Sequence, residues 1–351
     1  MADHDVIIIG AGPAGTAAAI LCVQRGLRVA LLEQAVFPRE RPGETLQPAV
    51  ELLLQQLGVA DAVRTAGFLR HTGHWVQWGS ARQFSALGQG ATGPDRGFQI
   101  PRDVLDNMLL RRATELGVQV LQPCRVLRVI RDRQRVCGVQ TRQGDFTAPY
   151  VIDASGASSW LSRQLTLRWR KFSPRLIAHY GYVRAADPQE KILCGIEADP
   201  FGWCWTAKIS EHIYHWTRLN FSPEHPGRDI APGMFGHLTA TGPPRGADVT
   251  WRVCQQPAGE GFFIAGDAAF VLDPAASQGV LKALTSGMMA AHAVIQTRSA
   301  PWQELSIRHQ YQCWVNEWFH RNRRVMAELY RVHPFPPQGL TERQWIVPIA
   351  S

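Results

Sequence analysis

Short apolar runs on either side of a glycine-rich turn open the sequence. Val6–Ile9 is a β-branched run, typical of a strand buried on both faces. Residues 16–25 are rich in alanine and predict a helix that ends at Gly26. Residues 28–33 form a second apolar run, so the pattern predicts a βαβ unit. Three glycines and a proline interrupt the uncharged stretch 6–24, which argues against a membrane span or an export signal.

The middle of the sequence continues to alternate between helix and strand patterns. Residues 104–116 predict a helix, and residues 118–121 predict a strand after it. Apolar and polar residues alternate over 126–130 and 136–141, as they do in antiparallel strands. Residues 150–153 form another short run that is typical of a buried strand.

The pattern changes between residues 172 and 222, where aromatic and polar residues interleave with period two. This predicts a second, antiparallel sheet. Residues 261–265 return to the buried-strand pattern, and residues 279–297 predict a long apolar helix. A further helix is predicted over residues 302–332, with apolar residues spaced for core packing. Those residues are Tyr311, Trp314, Trp318, Val325 and Leu329.

Composition and charge narrow the class of protein. Of the 351 residues, 45% are hydrophobic and 19% are charged, which is ordinary for a globular chain. The formal net charge is +8, but the basic residues are scattered, without a run of five, and we expect no nucleic-acid partner. Seven cysteines without a C-x-x-C pair predict neither a disulfide framework nor a metal site. They favour a reducing, cytoplasmic compartment.

Glycines occupy the turn between the first predicted strand and helix. Gly10 permits the tight turn, Gly12 lets a phosphate approach the backbone, and Gly15 lets helix and strand pack closely. Ala14 lies in this turn, just before the predicted helix, whose free N–H groups attract anions, and it is a further predicted cofactor-binding residue. Glu33 ends the second strand, where its carboxylate can accept hydrogen bonds from ribose hydroxyls. This combination predicts a dinucleotide-binding site.

A segment near the other end of the sequence indicates which dinucleotide binds. A carboxylate directly after a glycine at a strand end can accept a hydrogen bond from a ribityl hydroxyl. The helix that begins near Ser277 can direct its N-terminal dipole at a reduced, anionic isoalloxazine. A nicotinamide cofactor has no ribityl chain, so the segment predicts FAD. The cofactor-binding residues predicted here are Gly266, Asp267, Pro274, Ser277, Gln278 and Gly279.

A third strand-to-glycine turn, at Asp153 and Gly156, completes the set of motifs. The three segments together resemble the FAD-dependent monooxygenase superfamily with the p-hydroxybenzoate hydroxylase fold. The resemblance covers residues 1 to about 300 in the family's order. It departs from the family at Asp153-Ala-Ser-Gly156, where an Asp-Gly pair is usual. A cofactor-binding role for Asp153 and Gly156 is implied by this resemblance.

A loop after the second strand carries a further resemblance, to the halogenase and geranylgeranyl-reductase branches. It implies that Arg41, Gly43, Glu44 and Thr45 lie beside the isoalloxazine. By the same analogy, Arg102 is a candidate phosphate or flavin contact, and the alternative is an exposed arginine near a helix start.

The branch within the superfamily is harder to assign. The chain is similar to flavin-dependent halogenases at residues 41–44, at Trp203-x-Trp205 and near residues 274–279. Halogenases need a lysine that handles hypohalous acid, and their pattern puts it near Arg70, where this sequence has none. An arginine holds its proton too firmly to take the place of this lysine, so the sequence argues against halogenation. Residues 273–284 resemble small flavoproteins that mature tryptophan-derived quinone cofactors.

The resemblance implies a reaction in which reduced flavin and dioxygen form a flavin hydroperoxide that hydroxylates an electron-rich ring. We expect an aromatic, indole-like substrate, either a small molecule or a tryptophan in a partner protein or peptide. NAD(P)H or a separate flavin reductase would supply the electrons. A reductase or dehydrogenase without oxygen insertion is the alternative, and a flavoprotein chaperone or binding module is a third hypothesis.

Aromatic residues of the second sheet are the candidates for catalysis. Trp203 and Trp205 share one face of their predicted strand, and His215 lies on the next strand. The alternative is that the tryptophans pack the sheet against the FAD domain. A structural, hydrogen-bonded role is the alternative for His215.

The predicted fold class is α/β, with a Rossmann-type FAD-binding domain, an inserted antiparallel-sheet substrate domain and a C-terminal helical cap. The predicted domains are 1–70, 98–165 and 255–300 for FAD binding, 71–97 and 166–254 for the substrate, and 301–351 for the helical segment and tail.

Overall fold

The fold is described by a computed structural model for residues 3–79, 81–90, 93–187, 194–221, 235–337 and 340. The helices in these ranges are α1 (Pro13–Gln24), α2 (Ala49–Gln56), α3 (Ala60–Thr65), α4 (Arg102–Glu115), α5 (Trp160–Gln164), α6 (Gly279–Ser299) and α7 (Glu304–Arg331). None of the described helices is both long and apolar enough to cross a membrane.

Short strands make up the remaining regular structure. They are β1 (Val6–Ile9), β2 (Val29–Leu32), β3 (Thr45–Leu46), β4 (Leu69–His71), β5 (Gly73–Gln77), β6 (Gln83–Ala86), β7 (Gln89–Gly90), β8 (Gly93–Pro94), β9 (Gly97–Gln99), β10 (Gln119–Leu121), β11 (Val126–Asp132), β12 (Arg135–Thr141), β13 (Gly144–Thr147), β14 (Tyr150–Asp153), β15 (Trp169–Lys171), β16 (Ile177–Arg184), β17 (Gly195–Asp199), β18 (Gly202–Lys208), β19 (Ile213–Asn220), β20 (Thr239–Ala240), β21 (Arg245–Asp248), β22 (Arg252–Cys254), β23 (Ala258–Gly259), β24 (Phe262–Ile264) and β25 (Phe270–Val271).

A six-stranded sheet, in the order β10-β2-β1-β14-β24-β23, forms the centre of the first domain. Neighbouring strands from β10 to β24 are parallel, and every residue of β1, β2, β14 and β24 is buried. Ile9, Asp153 and Ile264 lie side by side at the carboxyl ends of three adjacent strands. The segments that follow these strands therefore meet at one edge of the sheet.

Helices α1 and α6 pack closely against each other beside this sheet. The approach depends on Gly287 of α6, because a Cβ there would lie 2.0 Å from the backbone oxygen of Ala14. Just after β24, a Cβ on Gly266 would lie 3.2 Å from the Cβ of Ala14 in α1. Contacts of this kind join the first and last sequence motifs.

The second domain is built on an eight-stranded sheet with the path β20-β16-β19-β18-β17-β5-β6, in which β21 also pairs with β16. The strands drawn from residues 177–220 are antiparallel to one another, as predicted. Strand β5 joins this sheet parallel to β17, which the local pattern did not indicate. The α/β fold class with its second antiparallel sheet is confirmed, whereas the domain boundaries stay a prediction.

Helix α7 covers the core with one apolar stripe, whose fully buried members include Tyr311, Phe319 and Tyr330. The Tyr311 hydroxyl donates to the backbone oxygen of Ile264, which ties the helix to the parallel sheet. The prediction for Val325 was wrong, since its side chain is 58% exposed. It lies one residue before buried Met326, so it falls just outside the stripe.

Candidate functional site

The turn after β1 has the geometry that its glycines predict. Gly10 has φ +97°, and a Cβ there would lie 2.5 Å from the backbone oxygen of Ala154. A Cβ on Gly15 would lie 1.8 Å from the backbone oxygen of Gly10. Gly12 precedes α1 without a side-chain cap, so the first N–H groups of the helix are available to an anion.

Glu33 fastens this turn to the second strand. Its carboxylate is buried and accepts hydrogen bonds from the N–H groups of Ala11 and Ala35, each at 2.8 Å. A carboxylate oxygen carries more than one lone pair, so these bonds leave acceptor capacity at the ribose position. Contact between Glu33 and the cofactor stays a prediction.

Arg39 is a candidate site residue that sequence reasoning missed. Its Nη2 atom would lie 3.5 Å from a Cβ on Gly12, directly beside the glycine turn. Its Nε and Nη1 atoms are buried and have no hydrogen-bond partner among the described residues. Burial lowers the pKa of Arg39, and nearby Arg41 and Arg102 lower it further, against the effects of Asp106 and Glu33. Unsatisfied guanidinium donors beside a phosphate-binding turn fit the pyrophosphate of a dinucleotide.

Arg102 braces the loop that carries Gly43 and Glu44. It forms two hydrogen bonds to the buried Asp106 carboxylate and donates to the backbone oxygen of Pro42 at 2.9 Å. Gly43 has φ +111°, and a Cβ there would lie 3.2 Å from Nη1 of Arg102. The alternative of an exposed arginine is therefore wrong, because the side chain is largely buried. Contacts of Arg41, Arg102 and Thr45 with the cofactor stay predictions.

A polar network with Glu44 and His215 buried at its centre joins this loop to the second sheet. The Tyr182 hydroxyl donates to the Glu44 carboxylate, and the same carboxylate accepts from the Gly43 N–H. Nδ1 of His215 lies 3.7 Å from Oε2 of Glu44, the oxygen that also accepts from Gly43. Burial and the Glu44 charge raise the pKa of Tyr182, so the phenol stays protonated and donates. Sequence reasoning placed Glu44 and His215 in separate roles and missed Tyr182.

His215 is enclosed by this network and is not open to solvent. Burial lowers its pKa, although the Glu44 charge opposes the effect. Its Nε2 atom lies 3.3 Å from the Thr217 hydroxyl. A neutral imidazole at this place connects the second sheet with residues 41–45, the predicted flavin loop. Its catalytic role stays a prediction.

The Asp153 turn is organised by the aspartate itself. Its carboxylate is fully buried and accepts hydrogen bonds from the N–H groups of Ser155 and Leu161, at 2.9 and 2.8 Å. Burial raises its pKa, against the effect of these bonds. Gly156 follows with φ +67°. Both residues therefore shape the turn beside the glycine motif, and their direct contact with a cofactor is untested.

The last motif lies beside the first at the same sheet edge. Asp267 follows Gly266 in a short 3₁₀ turn after β24, and its side chain is 48% exposed. Pro274–Ala276 form another such turn, and Ser277 follows with φ +50°. Helix α6 begins at Gly279 after Gln278, which provides no side-chain cap, so its first N–H groups are available as predicted.

Asp273, immediately before this turn, is a buried carboxyl group. It accepts hydrogen bonds from the Trp251 indole N–H and the Ala275 N–H, at 2.7 and 3.0 Å. Burial raises its pKa to about 6. Asp273 therefore fixes the approach of the chain to the α6 N-terminus.

Two adjoining cavities lie beside strands β4 and β5. Their volumes are about 390 and 220 Å³, and Arg70, His71 and Cys194 line both. Trp205 lines the smaller cavity, where its ring meets His74 edge-on with 5.4 Å between centroids. Gln99 lines the same cavity and accepts a hydrogen bond from the Thr45 hydroxyl at 2.9 Å. The cavity therefore adjoins the loop that is predicted to hold the isoalloxazine.

Trp203 does not line these cavities. Its side chain is fully buried in the main core, and its indole N–H donates to the Tyr330 hydroxyl at 2.8 Å. The expectation that Trp203 contacts the substrate is therefore wrong, and its packing alternative is right. Strand alternation turns both tryptophans to the same face, but only a neighbouring helix decides which of them is covered.

Comparisons with known proteins decide the family. The model of a family described as an FAD binding domain matches residues 3–225, which is well over half of the chain. The chain belongs to this FAD-binding family. The FAD predicted from the motifs is confirmed as the cofactor, and the glycine turn and Arg39 fit its pyrophosphate. The family is one of flavoenzymes, so the chain is an FAD-dependent enzyme of the oxidoreductase type.

Similar proteins agree with this assignment. The chain is 28% identical to tryptophan 2-halogenase of Chondromyces crocatus, over 93% of this chain and 68% of the relative. It is 30% identical to 1H-pyrrole-2-carbonyl-[peptidyl-carrier protein] brominase of Pseudoalteromonas luteoviolacea, over 84% and 78%. The solved structure of peptidyl tryptophan dihydroxylase QhpG, essential for tryptophylquinone cofactor biogenesis, superposes with TM-score 0.76 at 20% identity, over 98% of this chain and 78% of that one. The predicted resemblance to the halogenase-like branch is thereby confirmed.

Proposed function

We propose that this FAD-binding protein is a monooxygenase that hydroxylates an indole ring, presented as a tryptophan side chain of a partner protein during maturation of a quinone cofactor. The cavity lined by Trp205 and His74 is the observation that carries this proposal. It adjoins the flavin loop, because Gln99 lines the cavity and accepts a hydrogen bond from Thr45 of that loop. Aromatic side chains that meet edge-on offer a planar ring favourable contacts. Two of the similar proteins, the tryptophan 2-halogenase and the tryptophan dihydroxylase, carry tryptophan in their names.

The proposed reaction takes one molecule of dioxygen and two electrons. One oxygen atom enters a ring C–H bond, and the other leaves as water with two protons. NAD(P)H, directly or through a separate flavin reductase, supplies the electrons. Bound FAD, once reduced, supplies the activation of dioxygen.

The residues of the chain have separate tasks in this scheme. Arg39 and the glycine turn bind the pyrophosphate, and the Arg102–Asp106 pair holds the flavin loop in place. The Tyr182–Glu44–His215 network, in which Glu44 and His215 are buried, keeps bulk water away from the junction between loop and sheet. Neutral His215 is the group in this network that can accept a proton.

Halogenation is the second candidate, and the names of the relatives favour it. Of the three lysines that the structure describes, Lys208 borders the smaller cavity. Its ammonium, however, lies over the Tyr214 ring, 5.5 Å from the centroid. Lys208 and Tyr214 are paired across β18 and β19, on the opposite face of the strand from Trp205. The geometry therefore favours hydroxylation over a lysine-dependent halogenation.

One experiment separates these reactions. The FAD-loaded protein is reduced without oxygen and then mixed with ¹⁸O-labelled dioxygen, bromide and either free tryptophan or a tryptophan-containing peptide. Mass spectrometry of the acceptor shows whether ¹⁸O or bromine enters the ring. Label in the peptide supports the proposal, label in free tryptophan alone overturns the protein-bound substrate, and bromination establishes the halogenase. Reoxidation without modification of either acceptor overturns both and favours a reductase.

Two tryptophan variants test whether product formation depends on the cavity. Trp205→Leu should lower product formation more than tenfold, because the ring that lines the cavity is lost, while FAD stays bound. Trp302→Leu is the control, since that side chain is 80% exposed on the surface. Equal activity in both variants would contradict the assignment of the cavity.

A further inference from the structure

Lys282 is a buried cation on the first turn of α6. Its side chain is 6% exposed, and its ammonium forms a hydrogen bond and ion pair with the Asp267 carboxylate. It also donates to the backbone oxygen of Phe270 at 3.2 Å and lies 5.2 Å from the centroid of that ring. A lysine is rarely buried to this extent unless a partner compensates its charge.

Its partner Asp267 is exposed on its other side. Asp267 is about half exposed at the carboxyl edge of the parallel sheet, next to Gly266, whose N–H donates to the Ser286 hydroxyl at 2.8 Å. Burial lowers the pKa of Arg102, whereas Asp106 and, to a smaller extent, Glu44 and Asp267 raise it, so the Asp267 carboxylate lies within electrostatic reach of the residue that braces the flavin loop. The ion pair thus holds one side of the carboxylate and leaves the rest of it exposed at the sheet edge.

We propose that Lys282 is a positioning residue for FAD, which orients the Asp267 carboxylate toward the ribityl chain and supplies a fixed positive charge behind it. This inference rests on the FAD contact proposed for Asp267. The charge of a buried ammonium is weakly screened, so it favours the reduced, more negative state of a nearby cofactor.

The ion pair contributes little to stability on its own, because its carboxylate partner is about half exposed and solvent screens the attraction. A Lys282 that serves only the packing of the apoprotein would change the free energy of unfolding and leave the FAD affinity of the folded protein unchanged. A positioning Lys282 would do the reverse.

A double-mutant cycle tests the inference on the full chain. Lys282→Met, Asp267→Asn and the double variant are compared with wild type for the FAD dissociation constant, by quenching of flavin fluorescence, and for the flavin midpoint potential. Lys171→Met, an exposed lysine on β15, is the control. Should Lys282→Met fail to fold, Lys282→Gln replaces it in the cycle.

We expect Asp267→Asn and Lys282→Met each to weaken FAD binding about tenfold, the value of one lost charge-assisted hydrogen bond, and the double variant to bind no more weakly than Asp267→Asn. Lys282→Met should shift the midpoint potential to more negative values, and Asp267→Asn to more positive ones. Affinity within twofold of wild type and an unchanged potential in Lys282→Met would overturn the inference. Additive losses would overturn the route through Asp267.

The FAD affinity of Asp267→Asn tests the premise that Asp267 contacts the cofactor. Wild-type FAD affinity in Asp267→Asn would overturn the inference at its premise, whatever Lys282→Met does. That result would leave the oxygenase proposal standing, because ring oxygenation is measured separately with labelled dioxygen. Conversely, failure of ring oxygenation would leave the affinity cycle unaffected.

Discussion

The buried guanidinium of Arg39 gives the most specific prediction about cofactor binding. Two of its donors, Nε and Nη1, have no hydrogen-bond partner among the described residues, although the group lies beside Gly12. Asp106 lies 3.5 Å from Nη1 but is already held by two hydrogen bonds from Arg102. Arg39 can therefore donate further hydrogen bonds at the position predicted for the pyrophosphate.

The change to test is Arg39→Met, which keeps a long side chain against the Phe37 ring and removes the charge. A hydrogen bond to a charged group contributes about 1.5–3 kcal/mol. Loss of one such bond should raise the FAD dissociation constant about 10- to 100-fold. The apoprotein should not lose stability, because burial and two neighbouring arginines already disfavour the charge.

The assay is titration of apoprotein with FAD, followed by flavin fluorescence and by the thermal unfolding midpoint with and without FAD. Because the lost interaction is ionic, wild-type affinity should fall more steeply with added salt than that of the variant. Arg131→Met, an exposed arginine on β11, is the control. An FAD affinity within twofold of wild type, together with a lowered apoprotein midpoint, would refute the reasoning and make Arg39 a structural residue.

Three further predictions concern interactions inside the fold. Tyr182→Phe should lower the free energy of unfolding in urea by about 1.5–3 kcal/mol, because the buried Glu44 carboxylate loses a donor, and an unchanged value would contradict the network. Gly287→Ala should force α6 away from α1 and lower both the thermal midpoint and FAD affinity, whereas Gly26→Ala, outside that contact, should retain FAD affinity. The pKa of His320 is lowered to about 4 by burial and by Arg323, Arg170 and Arg324, so the unfolded chain binds its proton more readily and stability falls as pH drops from 6.5 toward 4. His320→Gln should make the urea midpoint less sensitive to pH in that window, and an equal slope would refute the assignment.

Local patterns predicted most of the secondary structure. Val6–Ile9 and Tyr150–Asp153 are strands with the predicted bounds, and α6 begins at the predicted Gly279. The two strands consist almost entirely of apolar residues and are buried on both faces, a pattern that is typical of strands in a parallel sheet. Helix α1, in contrast, begins at Pro13, three residues before the prediction, because proline is accommodated at the first helical position.

The sequence alone also determined the cofactor. Gly10 and Gly15 adopt a turn that excludes any side chain, and such a steric requirement can be seen in the residue types themselves. Parallel strands then bring the segments after Ile9, Asp153 and Ile264 to one edge, which follows from the topology that the motifs imply.

Only the tertiary structure decided which side chains share the site. Tyr182 meets Glu44 across 138 residues of sequence, and Lys282 meets Asp267 from a different element. Trp203 and Trp205 have the same residue type and the same strand face, yet Tyr330 of α7 covers one and a cavity receives the other. Burial and partnership of this kind depend on the packing of distant elements, and strand or helix periodicity carries no information about them.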